Sequence, residues 1–318
     1  MRLALLFFFA LPLFAQTPFT IQPASGNALG GDLVTIKGDF LPQTYEVFFD
    51  ANPVSTGMLR PDSNTIQVRT PAHLPGLSKV ILKVNGTTID TGLRYEYTGY
   101  VGIGFERVLL PVFTPPIPGA FDSEFRTEFD VVNTAAGAVS IYGATPCCGG
   151  AGDPRVPLLL PGRAALPVLV TNGAPGRFVL VPRNQAESLT ANLRVYDTSR
   201  SAENFGTEVP VVRMTKDFTT QPFTLLGVPL DARFRKTLRI YAEDPNLVTI
   251  RGLGAPRTVM LAGNVDMFTP AYAEISDFPA GTGLTDVIIQ PTRAGAGVWA
   301  FITVTNNETQ HITVIAPR

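Results

Sequence analysis

The stretch Phe19-Thr-Ile-Gln-Pro-Ala-Ser-Gly26-Asn-Ala-Leu-Gly30-Gly31-Asp-Leu-Val-Thr-Ile-Lys-Gly38-Asp-Phe40 decides how this chain folds. It reads as a short extended entry, a glycine turn and a β-branched strand. Gly30 and Gly31 sit in the turn, which predicts positive φ there, and Gly38 ends the strand where the chain must bend. A phosphate-cradling loop would require a helix to follow, and a strand follows instead.

The same texture extends in both directions. Leu33-Val-Thr-Ile-Lys37, Glu46-Val-Phe-Phe49, Thr65-Ile-Gln-Val-Arg69, Lys79-Val-Ile-Leu-Lys-Val84 and Leu93-Arg-Tyr-Glu-Tyr97 are β-branched or aromatic runs separated by Gly, Pro and Asn turns. A strand roughly every ten residues is the rhythm of a sandwich. The 318 residues include 29 Gly and 28 Pro, a density that long helices do not tolerate. With 45% hydrophobic residues the chain has ample apolar material for packed cores, and disorder is disfavoured. The predicted fold class is all-β, built as three tandem immunoglobulin-like β-sandwich units.

Residues 19 to 98 resemble an IPT/TIG domain. The resemblance rests on Gly30-Gly31-x-x-Val-Thr-Ile-x-Gly38, Val47-Phe-Phe-Asp50, Val68-Arg-Thr-Pro71, Pro75-Gly76, the strand from Val80 to Asn85 and the closing Tyr95-Glu-Tyr97. One departure is the extended Thr44-Tyr45-Glu46 entry to the third strand. The resemblance implies a small immunoglobulin-like sandwich that holds or presents a binding surface and carries no chemistry of its own. The rest of the chain bears only a loose likeness to β-sandwich segments in secreted proteins of soil bacteria.

Ahead of this domain, Arg2 is followed by an apolar run over residues 3–14, broken at Pro12, and by Phe14-Ala15-Gln16. Residues 1–15 are read as a secretory signal peptide, too short to span a membrane. No cysteine follows the cleavage point and Ile315-Ala-Pro-Arg318 is no anchor, so the expected product is secreted, periplasmic or extracellular, without a membrane span.

Beyond Gly99 the chain resembles itself. Phe125-Arg-Thr-Glu-Phe-Asp-Val-Val132 aligns with Phe234-Arg-Lys-Thr-Leu-Arg-Ile-Tyr241, and Ala191-Asn-Leu-Arg-Val-Tyr-Asp197 aligns with Ala300-Phe-Ile-Thr-Val-Thr-Asn306. Both alignments carry the same offset, 109 residues, the length of a sandwich domain. The expected organisation is therefore signal peptide 1–15, IPT/TIG-like sandwich 16–98, sandwich repeat 99–212 and sandwich repeat 213–318. Chance alignment of generic strands is the competing reading.

Chemistry is scarce. Net charge is -1, which gives no long-range field toward nucleic acid. The two histidines, His73 and His311, are read as surface residues. Glu124, Glu128 and Asp130 alternate along one strand and are read as a solvated face, although a glycosidase needs only two carboxylates. No catalytic residue and no cofactor is expected. Glu243 and Asp244 are weak calcium candidates in a turn, and otherwise no metal is expected. Cys147 and Cys148 are adjacent, so they close as a vicinal disulfide, stay as free thiols or bridge two molecules.

The repeat yields one ligand-binding expectation. If Ala300, Ile302 and Val304 face the core, Trp299 and Phe301 face outward, where they could stack on a sugar or anchor a partner unless a loop or the neighbouring domain covers them. The function expected from these features is non-catalytic recognition or spacing outside the cytoplasm, with an extracellular polysaccharide or protein as partner. The alternatives are a carbohydrate-active hydrolase and a structural subunit of a cell-surface assembly. Oligomeric state is left open.

Overall fold

The computed structural model of the chain describes residues 19–38, 45–54, 58–99, 104–113, 116–143, 157–168, 175–200, 206–263, 267–293 and 295–317. Their regular secondary structure is almost entirely strand, and the all-β reading holds. The segment read as a signal peptide, Cys147 and Cys148 lie outside them. Among the described residues no helix is long and apolar enough to cross a membrane. The chain divides into two compact units, residues 1–100 and residues 101–318.

The first unit has nine strands: β1 (Thr20–Gln22), β2 (Ser25–Asn27), β3 (Leu33–Lys37), β4 (Tyr45–Phe49), β5 (Asn52–Pro53), β6 (Leu59–Asp62), β7 (Thr65–Arg69), β8 (Gly76–Val84) and β9 (Thr87–Thr98). One sheet runs β1-β3-β7-β6 and the other β2-β9-β8-β4-β5. The entry strand changes sheets midway: β1 is antiparallel to β3, and β2 is parallel to β9. Pro23 lies at the switch, where its missing N–H deprives neither ladder. This is the two-sheet division of an immunoglobulin-like sandwich. Strand alternation turns Val34, Ile36, Val47, Phe49, Tyr95 and Tyr97 into one buried cluster. The glycine turn behaves as its sequence implied, with Gly30 at φ +71 and Gly31 at φ +86. A Cβ on Gly30 would lie 2.5 Å from the carbonyl carbon of Pro71, so backbone packing as well as dihedral angle demands glycine. Gly38 meets a different limit, since a Cβ there would enter the ring of Phe19.

The larger unit continues with β10 (Phe105–Leu110), β11 (Ile117–Pro118), β12 (Glu124–Asn133), β13 (Val139–Ile141), β14 (Leu158–Leu160), β15 (Ala165–Val168), β16 (Arg177–Pro182), β17 (Leu189–Asp197), β18 (Thr207–Val209) and β19 (Val212–Arg213). Its second half holds β20 (Phe223–Pro229), β21 (Phe234–Ala242), β22 (Asn246–Arg251), β23 (Arg257–Gly263), β24 (Ala271–Ile275), β25 (Leu284–Pro291), β26 (Val298–Asn306) and β27 (Ile312–Ile315).

The two halves share a strand order. In the first, β15-β12-β17-β18 faces a sheet in which β13 pairs with β14, reaches β16 through a bridge between Tyr142 and Leu180, and β16 pairs with β10. In the second, β24-β21-β26-β27 and β23-β22-β25-β20 are the two ends of one eight-stranded sheet, joined where β23 pairs with β24. The central register coincides as well. Phe125 opposes Asp197 and Asn133 opposes Leu189; adding 109 to each number gives Phe234 opposite Asn306 and Ala242 opposite Val298, which are the observed pairs.

Candidate functional site

Along β26 the side chains alternate as expected. Val298, Ala300, Ile302 and Val304 enter the core of the second half, and Trp299 and Phe301 point the other way. That outer face is not free. Trp299 is 4% exposed and Phe301 is 0% exposed, because both join the hydrophobic cluster of the first half, together with Tyr241 from β21. The rings of Trp299 and Phe301 stack at 5.3 Å, and Tyr241 stacks on Phe301 at 6.3 Å. The Tyr241 hydroxyl donates to the carbonyl oxygens of Pro111 and Pro175, both in the first half. Burial pushes the Tyr241 phenol well above its usual range. The expected exposed platform is thus corrected: the neighbouring half covers the pair and makes it a joint. At the matching positions Thr190 is exposed and Asn192 half-buried, so one face of the repeat is wet in one copy and dry in the other.

Polar contacts reinforce the joint. Arg107 of β10 is ion-paired to Glu243, and Thr207 Oγ1 donates to Ile312 O at 2.6 Å. Glu243 and Asp244 line a pocket of about 210 Å³ with Arg293 and residues 295–297. The calcium reading of these carboxylates therefore meets two guanidinium groups. Among the described residues no group of three or more His, Cys, Asp or Glu side chains is placed to hold a metal ion.

The histidines divide. His311 is exposed, as expected, but His73 is only 4% exposed, which corrects its surface reading. The loop carrying it is tied down by the His73 N–H, which donates to Ala28 O at 2.9 Å. Its ring stacks on Tyr97 at 4.7 Å, Nδ1 lies 2.7 Å from Leu74 O, and Nε2 lies 3.0 Å from Asp50 Oδ2. Burial alone would raise the Asp50 carboxyl, but hydrogen bonds from His73 and the Lys79 N–H outweigh it and hold the group below its ordinary 3.8. Glu124, Glu128 and Asp130 stand on the exposed side of β12 as a solvated face; Glu128 accepts from Tyr196 OH at 2.7 Å and from Arg126 at 3.1 Å.

One feature escaped the sequence reading. Between the two sheets of the first half lies a cavity of about 250 Å³. Its floor is Phe129, Val131, Val179 and Val181, all buried, and its mouth carries half-buried Leu189 and Arg213. The opening follows from Pro210. β18 pairs with β17 only from Leu193 to Val195; the chain then leaves that sheet at Pro210 and joins β10 of the opposite sheet as β19. Among the described residues, Leu189 to Asn192 have a strand partner only on the β12 side.

Comparison with known proteins agrees with the first unit and is silent on chemistry. No curated protein matches the chain. A solved protein of unknown function from Bacteroides thetaiotaomicron is similar over 93% of this chain at 12% identity and a TM-score of 0.23, and the chain spans 60% of that protein's length. The IPT/TIG domain model matches residues 19–97. With its glycine turn, split entry strand and two-sheet core, the segment from residue 19 to residue 97 is an IPT/TIG domain, joined to a larger all-β unit without a named family.

Proposed function

We propose that this chain is an exported, non-catalytic recognition or spacer protein, with the IPT/TIG domain as its N-terminal mount and an extracellular polysaccharide or protein as its partner. The observation that carries this reading is the use made of the reactive and aromatic groups in the larger unit. Trp299, Phe301, Tyr241, Arg107 and Glu243 lock the two halves against each other. IPT/TIG domains are immunoglobulin-like binding or spacer modules, which supports the same conclusion by analogy.

The test is to pass the mature chain over a glycan array and a panel of insoluble polysaccharides while assaying for released reducing sugar. Retention without release is the expected result. Turnover of any polysaccharide would refute the non-catalytic reading.

A further inference from the structure

We propose that the cavity between the sheets of the first half is a binding site for a small, neutral, largely apolar molecule that ends in one hydrogen-bond acceptor, such as a ketone, ester or alcohol. The two halves differ at the edge where this cavity lies. In the second half the position matching Leu189 is Val298, and its edge is closed by the chain itself: Thr219 and Val298 exchange N–H···O bonds of 3.0 and 2.9 Å. No such closure meets Leu189 among the described residues. Among the described residues, one half has a bridge at this edge and the other has none.

The lining sets the ligand class. Valine, leucine and phenylalanine side chains form the floor and walls, so water gains few partners inside. At about 250 Å³ the space exceeds the roughly 150 Å³ apolar cavity that accepts benzene, which suits a body of about eight carbons. Arg213 supplies the polar end. Its Nη1 pairs with Glu187 at 2.9 Å and its Nη2 lies 3.8 Å from Glu106. Lys216 also pairs with Glu187, so two carboxylates already balance the two cations at this rim. A carboxylate ligand would be repelled by Glu106 and Glu187, whereas a neutral acceptor can sit at the rim formed by Arg213 and Thr190 without opposing them.

The experiment is a titration of the full mature chain with 2-octanone, read by methyl NMR, with octanoate as the charged control. Saturable shifts confined to methyls such as Val131, Val179 and Leu189 are expected, with weaker binding of octanoate. Ala191→Phe, which fills the mouth, should abolish these shifts with an unchanged or raised melting temperature. Should that variant fail to fold, Val179→Met fills the floor from the opposite sheet and carries the same expectation. Arg213→Lys keeps the charge but removes the planar guanidinium at the rim; it should weaken 2-octanone a few-fold to about tenfold and leave toluene binding unchanged. Absence of saturable shifts, shifts that persist in the folded filled variant, or tighter binding of octanoate would each overturn the proposal. Because the readout is occupancy of this cavity, it stands or falls independently of polysaccharide retention.

Discussion

Replacing Trp299 by alanine measures the joint between the two halves of the larger unit. The indole is 4% exposed, so nearly all of a side chain that buries about 150–250 Å² loses its contacts. At about 25 cal/mol per Å² this is roughly 4–6 kcal/mol, in line with the 3–5 kcal/mol measured for such truncations. A unit of this size loses about 2–4 °C per kcal/mol, so its transition should fall by roughly 6–20 °C. The assay is scanning calorimetry of the full chain, in which the IPT/TIG unit, a compact unit of its own, serves as an internal reference. That reference transition should not move, and retention on any polysaccharide that binds the parent chain should persist below the lowered melting temperature. A drop below about 1 °C, or loss of polysaccharide binding with unchanged melting, would refute the reasoning and restore Trp299 as a ligand platform.

Other consequences are equally open to measurement. His73→Phe keeps a ring against Tyr97 but removes the ring nitrogens that meet Leu74 O and Asp50; calorimetry should show the IPT/TIG transition reduced by about 1–3 kcal/mol and the larger unit unaffected. Gly30→Ala should lower the same transition by at least about 1–2 kcal/mol, since φ is +71 and the added methyl meets Pro71. Tyr95, pushed up to about 12 by burial and by the charge of Asp32, resists ionisation when folded. Its contribution to stability is complete below the unfolded value of 10.0 and is lost as pH rises toward about 12, so the IPT/TIG unit should weaken across that window and Tyr95→Phe should flatten the loss.

Much of this was legible because strands alternate and the two halves pair in registers 109 residues apart. An offset read from two short matches, Phe125 on Phe234 and Ala191 on Ala300, recurs in the pairing register of the folded strands. The direction in which Trp299 points was equally accessible, for a two-residue period leaves only two faces. What covers that face was not, because contacts between successive sandwiches leave no periodic trace. The contrast of Trp299 and Phe301 with Thr190 and Asn192 was the available signal: a face that is polar in one copy and aromatic in the other is buried against something. His73 was misjudged for a similar reason. Its loop, Pro71-Ala-His-Leu-Pro75, looks like a surface turn until the Asp50 carboxylate and the Tyr97 ring come together around it from distant strands. The cavity depends on where Pro210 takes the chain out of its sheet, and a proline inside Val209-Pro-Val-Val212 marks that departure only once both sheets are known.

Since Trp299 is the only tryptophan in the chain, its fluorescence tests the central claim most directly. A covered indole emits at blue-shifted wavelength, resists quenching by iodide in the native protein and gains that quenching only on unfolding. Its emission should also stay unchanged when a bound polysaccharide is added. A red-shifted native emission, quenched by iodide as readily as in denaturant, would contradict the account.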